Sequence, residues 1–243
     1  MKAIILFAIL FFVLSSNIIF CQSLGISIGY GYLNMSAANQ DLKDTENLIS
    51  GAGGYTNEPD EIKGGLFLEG NFKYSIGKFN LGVTADYISS SGNFGYGDQS
   101  GSLDVNYDVS TTEVLGLFEI IFPIELSSWQ PFAQLAAGVG FANAERTIDF
   151  RVYDPYSAYL NLKNTVDGNY FAGRVKAGAD YIIQNVMLEI AVGYRLANAG
   201  ELKGDHVENG TTYTDMPVKD INGNGVEFDY SGFFVTGGVS IRF

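Results

Sequence analysis

The chain has a single histidine, His206, and it stands beside Asp205. A histidine next to a carboxylate can serve as a general base, but that chemistry also needs a nucleophile within reach. Neighbouring residues on an extended segment face apart, and no serine is tied to the pair, so a solvated loop histidine is the plainer expectation. A second candidate is Asp220-Ile221-Asn222-Gly223-Asn224-Gly225, which matches the first half of a calcium loop. There Asp220, Asn222 and Asn224 would supply oxygen ligands. The acid that should follow six residues after the glycine is replaced by Ser231, and Asn/Gly turn chemistry accounts for the same residues without a metal. The third constellation is the largest: Glu69, Lys73, Asp86, Glu113, Glu119, Arg174, Lys176, Asp180, Glu189, Arg195 and Arg242 each sit opposite a series of large apolar residues.

That placement depends on eight segments of period-two character, namely 24–34, 64–76, 81–89, 109–122, 131–142, 170–183, 186–195 and 231–243. In 81–89, for example, Leu81, Val83, Ala85 and Tyr87 alternate with Thr84 and Asp86. One face is large and aromatic, and the other is small or charged. A soluble sandwich also alternates, but its apolar face turns inward; an apolar band around a polar interior is the pattern of a membrane barrel. No segment beyond the leader has the length of apolar chain that a membrane helix needs.

The connections alternate too. Those at 35–63, 90–108, 143–169 and 196–230 are long, and those at 77–80, 123–130 and 184–185 are short. Long outer loops, short inner turns and an even strand number fit a closed antiparallel up-and-down transmembrane β-barrel of eight strands. Ten strands is the alternative, if 145–152 and 211–215 form extra pairs. Residues 1–21 read as a secretory signal peptide, with Lys2 ahead of an uncharged apolar run. Residues 22–243 would then be the barrel domain. One cysteine in 243 residues excludes a disulfide framework, and a net charge of −13 argues against nucleic acid as a partner.

The Gly/aromatic opening at 25–32, the stretch at 131–140 and the ending Val239-Ser240-Ile241-Arg242-Phe243 resemble the small eight-stranded outer-membrane barrels typified by OmpA, OmpX and OmpW. The resemblance implies residence in the outer membrane of a Gram-negative bacterium, among outer-membrane lipid and lipopolysaccharide. It also implies that Phe243 is the terminal aromatic recognised by barrel-assembly machinery.

Six acids and five bases facing the lumen nearly balance. Buried unpaired charge is costly, so they are expected to pair into a plug, whereas a selective pore would carry one sign. The long loops hold 20 acids against 7 bases. In the first, Asp41, Asp44, Glu46, Glu58, Asp60 and Glu61 are expected to be surface carboxylates. The function expected is non-enzymatic: membrane structure or surface interaction, with an extracellular ligand at the acidic loops. No cofactor is expected, calcium being the one candidate. Phe67, Ile88, Leu115, Leu117, Ile121 and Phe132 also point to the lumen, where side-chain packing of a small barrel accounts for them. The alternative is a narrow porin or an OmpW-like channel, in which they line a cavity for small hydrophobic or polar solutes.

Overall fold

The computed structural model describes residues 22–51, 58–124, 127–153 and 157–243; the leader at 1–21 lies outside them. Eight strands form a ring: β1 (Gln22–Tyr32), β2 (Gly64–Ile76), β3 (Phe79–Gly97), β4 (Gly101–Ile121), β5 (Trp129–Val152), β6 (Ala158–Ile183), β7 (Val186–Leu196) and a last strand, Gly232–Arg242. Each pairs antiparallel with its sequence neighbour. The ring closes where the last strand pairs with β1, Ile26 lying opposite Val239. Phe243 and Gln22 add a reciprocal pair of backbone hydrogen bonds at 2.9 and 3.2 Å. Closure is what permits strands in hydrocarbon, because every backbone N–H and C=O then has a partner inside the protein.

Two of the ring's short turns are tight. Gly77, at φ 64°, turns β2 into β3, and Gln184, at φ 56°, turns β6 into β7. At the opposite end the long connections fold. Residues Ser36–Gly51 form helix α1, burying Ala38, Asp41, Leu42 and Thr45 on one face. The fourth connection carries β8 (Asn198–Glu201), β9 (Lys203–Glu208), β10 (Thr211–Pro217) and β11 (Glu227–Asp229), which makes Gly232–Arg242 β12. β9 pairs with the outer part of β6, β10 with β9, and β11 with β8.

Two expected loops are therefore hairpins. Residues 90–108 belong to β3 and β4, and 143–169 largely to β5 and β6. Residues 145–152 continue β5, and 211–217 join a hairpin outside the ring, so the barrel has eight strands.

The alternation changes sign along these long strands. On β4, Val114 and Phe118 face outward, exposed, and Glu113 and Glu119 face inward, buried. Higher up, Asp104, Asn106 and Asp108 face outward, and Leu103, Val105, Tyr107 and Val109 are buried. The switch falls at one level on adjacent strands, along the cross-strand row Tyr87–Thr112–Phe141. Below it the exterior is an apolar band that on β5 runs from Trp129 to Phe141, close to the roughly 25 Å of outer-membrane barrels. Tyr30, Tyr32, Tyr87, Trp129, Tyr181 and Phe243 lie on its outward side, well exposed. Above the switch the next outward positions of β3 to β5, Ser89, Ser91, Asp108, Ser110, Asn143 and Glu145, are polar, and the inward ones on β4 become apolar.

Candidate functional site

The lumen is occupied by side chains that β2 to β7 aim inward. Glu119 sits at the centre of one group: it accepts from Lys73 Nζ at 2.6 Å, Asn80 Nδ2 at 2.6 Å and Gln134 Nε2 at 3.0 Å. Lys176 bridges Glu69 at 2.9 Å and Glu189 at 2.6 Å. Arg174 reaches Glu69 at 2.9 Å and Asp86 at 2.8 Å, and also donates to Gln134 and Thr84. Lys73 lies 3.7 Å from Glu189, which joins the two groups. These ions share partners across the lumen, so no single pair stands alone. Breaking such a pair from one side leaves an uncompensated charge in a low dielectric, which costs about 3–5 kcal/mol.

Higher in the barrel, Arg195 lies 3.7 Å from Glu113 and donates through Nε and Nη2 to the Tyr230 carbonyl at 3.0 and 2.6 Å. Tyr170 donates to Glu113 at 2.7 Å and stacks on Tyr230 with its ring nearly parallel, centroids 6.2 Å apart. Gly140 lies directly beneath the Tyr170 ring, where a Cβ would collide with it. The crowding is why a narrow barrel needs glycine on its inner wall.

Above this layer the folded connections form a cap, into which the apolar core continues from Phe67, Leu115 and Leu117. It includes Met35, Ala38, Leu42, Ile62, Phe94, Val105, Val166, Leu202, Val218, Val226 and Phe228. One carboxylate ties the cap together. Asp41 on α1, 1% exposed, accepts from Arg146 Nη2 on β5 at 2.6 Å and Tyr107 OH on β4 at 2.7 Å, and from the Ile221 backbone N–H at 2.9 Å. Arg146 also donates to the Lys219 carbonyl at 2.8 Å and lies over the Tyr107 ring. Burial holds the Tyr107 phenol well above its ordinary pKa, so it stays a donor to Asp41. Asn39 fixes the second half of the first connection, exchanging two hydrogen bonds with Ile62.

The charged residues singled out in the sequence fall as follows. Glu69, Lys73, Asp86, Glu113, Glu119, Arg174, Lys176, Asp180, Glu189 and Arg195 are all buried inside the ring. Arg242 is half-buried at the end of β12, donating to Gln130 at 3.1 Å. Phe67, Ile88, Leu115, Leu117, Ile121 and Phe132 are buried as well, and Phe67 stacks on Phe234 at 4.9 Å. Asp220 accepts from the backbone N–H groups of Asn222 and Asn224 and from Asn224 Nδ2, while Asn222 donates to Asp44. Desolvation raises the Asp220 carboxyl, but the Asn224 side chain and the turn's backbone N–H groups together outweigh it, hold the pKa below its usual value and close an Asx-type turn. His206 shares a 2.6 Å hydrogen bond with Asn164, not with Asp205.

Asp41 departs from the surface role expected of it, and its two cap partners, Tyr107 and Arg146, were not singled out at all. The signal was present: Ala38, Asp41, Leu42 and Thr45 follow helical spacing, and Leu103, Val105, Tyr107 and Val109 alternate with polar residues.

Pairing, exterior and filled interior define an eight-stranded transmembrane β-barrel of the outer-membrane kind. No protein-family model matches the sequence, and no curated protein matches it as a relative. Solved structures that align with it include Neisserial surface protein A (10% identity, 92% of this chain and 97% of that one, TM-score 0.38). Ail, the attachment invasion locus protein of Yersinia pestis solved with the heparin analogue sucrose octasulfate, aligns at 13% identity over 91% and 99%, TM-score 0.35. The outer membrane protease OmpT from Escherichia coli aligns at 10% identity over 93% and 97%, TM-score 0.31. The eight-strand closure of this chain is read from its own pairings.

Proposed function

We propose that this chain is a non-conducting, non-enzymatic barrel of a Gram-negative outer membrane that holds a rigid acidic cap at the cell surface for membrane structure or surface contact. The observation that supports it is the interlocked lumen: Lys73, Arg174 and Lys176 span it to Glu69, Asp86, Glu119 and Glu189, with the Asp41-held cap above. Side chains that satisfy one another across a narrow barrel leave no single-sign path for ions. Exposed acids of the fourth connection, Glu201, Glu208 and Glu227 among them, suit a cationic extracellular ligand. Phe243, 60% exposed at the end of β12, is the aromatic that assembly machinery would read.

Planar-bilayer recording tests this directly. The purified chain should insert and show no reproducible single-channel steps; uniform steps would replace the plug with the narrow-channel reading. Hydrolysis of lipid or peptide that disappears in His206→Ala would overturn the non-enzymatic part.

A further inference from the structure

The upper half of the lumen holds one carboxylate more than its bases match. Cross-strand register places Glu69 on β2, Asp86 on β3 and Glu113 on β4 in one inward row, each 3% exposed or less. Two arginines face the row. Arg174 Nη1 reaches Glu69 at 2.9 Å and Asp86 at 2.8 Å. Arg195 stays 3.7 Å from Glu113 and gives its two close hydrogen bonds to the Tyr230 carbonyl. No base is spare below: Lys73 sits between Glu119 and Glu189, Lys176 between Glu69 and Glu189, with Asp180 buried as well. The remaining strands add no charge to the row. β1 presents Ser27, β12 Gly238 and β5 Gly140, while Tyr170 on β6 donates to Glu113 Oε1 at 2.7 Å. Asp86 Oδ1 and Glu113 Oε2 are buried and accept no hydrogen bond.

We propose that Asp86 and Glu113 hold one proton between them, one residue as the acid and the other as the carboxylate that accepts its O–H. Directly opposite residues on one face of a sheet have Cβ atoms roughly 4.5–5.5 Å apart, so two carboxyl groups can meet there. At that range in a low dielectric, two ionised carboxylates repel, and one shared proton removes the repulsion. The same proton supplies a donor where two oxygens have none, and a carboxylic acid is the only form of these side chains that can donate. It also leaves the row with two negative charges against the two guanidinium groups. The inference goes beyond the proposed function but rests on the filled lumen, because water in an open pore would hydrate both carboxylates.

Infrared spectroscopy of the full chain in lipid bilayers near neutral pH tests the pair, since a carboxylic acid has a C=O stretch distinct from those of carboxylates and amides. Spectra of Asp86→Asn and of Glu113→Gln are each subtracted from that of the unsubstituted chain. Both differences should show the loss of the same single carboxylic acid band, because removing either partner leaves the other ionised. Each amide keeps the shape of the acid and offers an N–H to the remaining carboxylate, and circular dichroism verifies that the variants fold. Carbon-13 labelling of Asp or Glu carboxyls in the unsubstituted chain reads the same band without a variant, and either label should shift part of it. A band lost in only one variant, or in neither, overturns the pair. Absence of the band from a chain that shows no channel steps overturns the shared proton alone. Its absence together with uniform steps overturns the filled lumen as well.

Discussion

The lumen and the cap are enclosed by the same strands and filled in different proportions, the lumen with far more charge. In the lumen, ten charged residues are buried, all but Asp180 within 4 Å of an opposite charge, with Arg195 held chiefly by the Tyr230 carbonyl; in the cap, an apolar core surrounds the Asp41–Arg146 pair. The difference follows from what lies outside. Where the exterior meets hydrocarbon, the apolar side chains are spent there and polar ones turn inward, where only mutual pairing makes them tolerable. Where the exterior meets water, the ordinary rule returns and burial of apolar surface holds the fold, at about 1.5–3 kcal/mol for each large side chain buried. The barrel interior leans on ion pairing and the cap on packing, so a substitution in one should be felt less in the other.

The largest expected effect is in the lumen. Arg174→Met strands Asp86 and leaves Glu69 only Lys176, and should lower barrel stability by about 3–5 kcal/mol, measured by urea unfolding in micelles. A loss below 1 kcal/mol would show that the network is not the barrel's main internal support. Asp41→Asn leaves a single acceptor oxygen for donors that now share two, turns an amide NH2 toward one of them and removes the charge facing Arg146, and should cost about 1–3 kcal/mol. Hydrogen exchange should quicken at α1 and residues 218–224 while β1–β7 below the switch stay protected. Equal quickening through the lumen strands would dissolve the distinction between the two regions. Ile62→Val removes one methylene from the cap core and should cost about 1 kcal/mol. The same exchange measurement should report it in the cap alone.

The sequence made the membrane part legible and the cap much less so. In the lipid zone, outward Leu81, Val83 and Tyr87 against inward Thr84 and Asp86 carry one message, because the environment on each face is uniform. Residues 101–109 alternate just as regularly, but with the apolar residues on the opposite face. A reading that stops each strand at the width of the bilayer takes such a stretch for a loop. Helix α1 is short of apolar residues, and its central contact is made by a carboxylate whose partners come from β4, β5 and residue 221. Nothing local announces a contact between residues more than sixty positions apart. The charged set read from the sequence was placed on the inner face by alternation alone; which ion meets which depends on the stagger of the closed ring.

The smallest effect sharpens the comparison at the far tip of the cap, where a carboxylate has partners but no burial. Asp98, in the turn between β3 and β4, accepts from the Ser100 backbone N–H and hydroxyl, the Gly101 backbone N–H and the Tyr96 phenol. The Ser100 hydroxyl, the Tyr96 hydroxyl and the Ser100 backbone N–H, in that order, pull its pKa down to about 2, and the bond to Asp98 raises that of Tyr96. A depressed folded value means the turn is fully supported above about pH 4, and the support is lost as pH falls through about 2. Full exposure keeps this support small and open to screening by salt. The Ser100 and Gly101 amide resonances should therefore titrate with a midpoint near 2, and Asp98→Ala should abolish that titration. The barrel's unfolding midpoint should stay where it was. A midpoint near 4 would mean that the four donors do not hold the carboxylate in solution, leaving Asp41, which is buried, as the clearer example of a carboxylate that organises the cap.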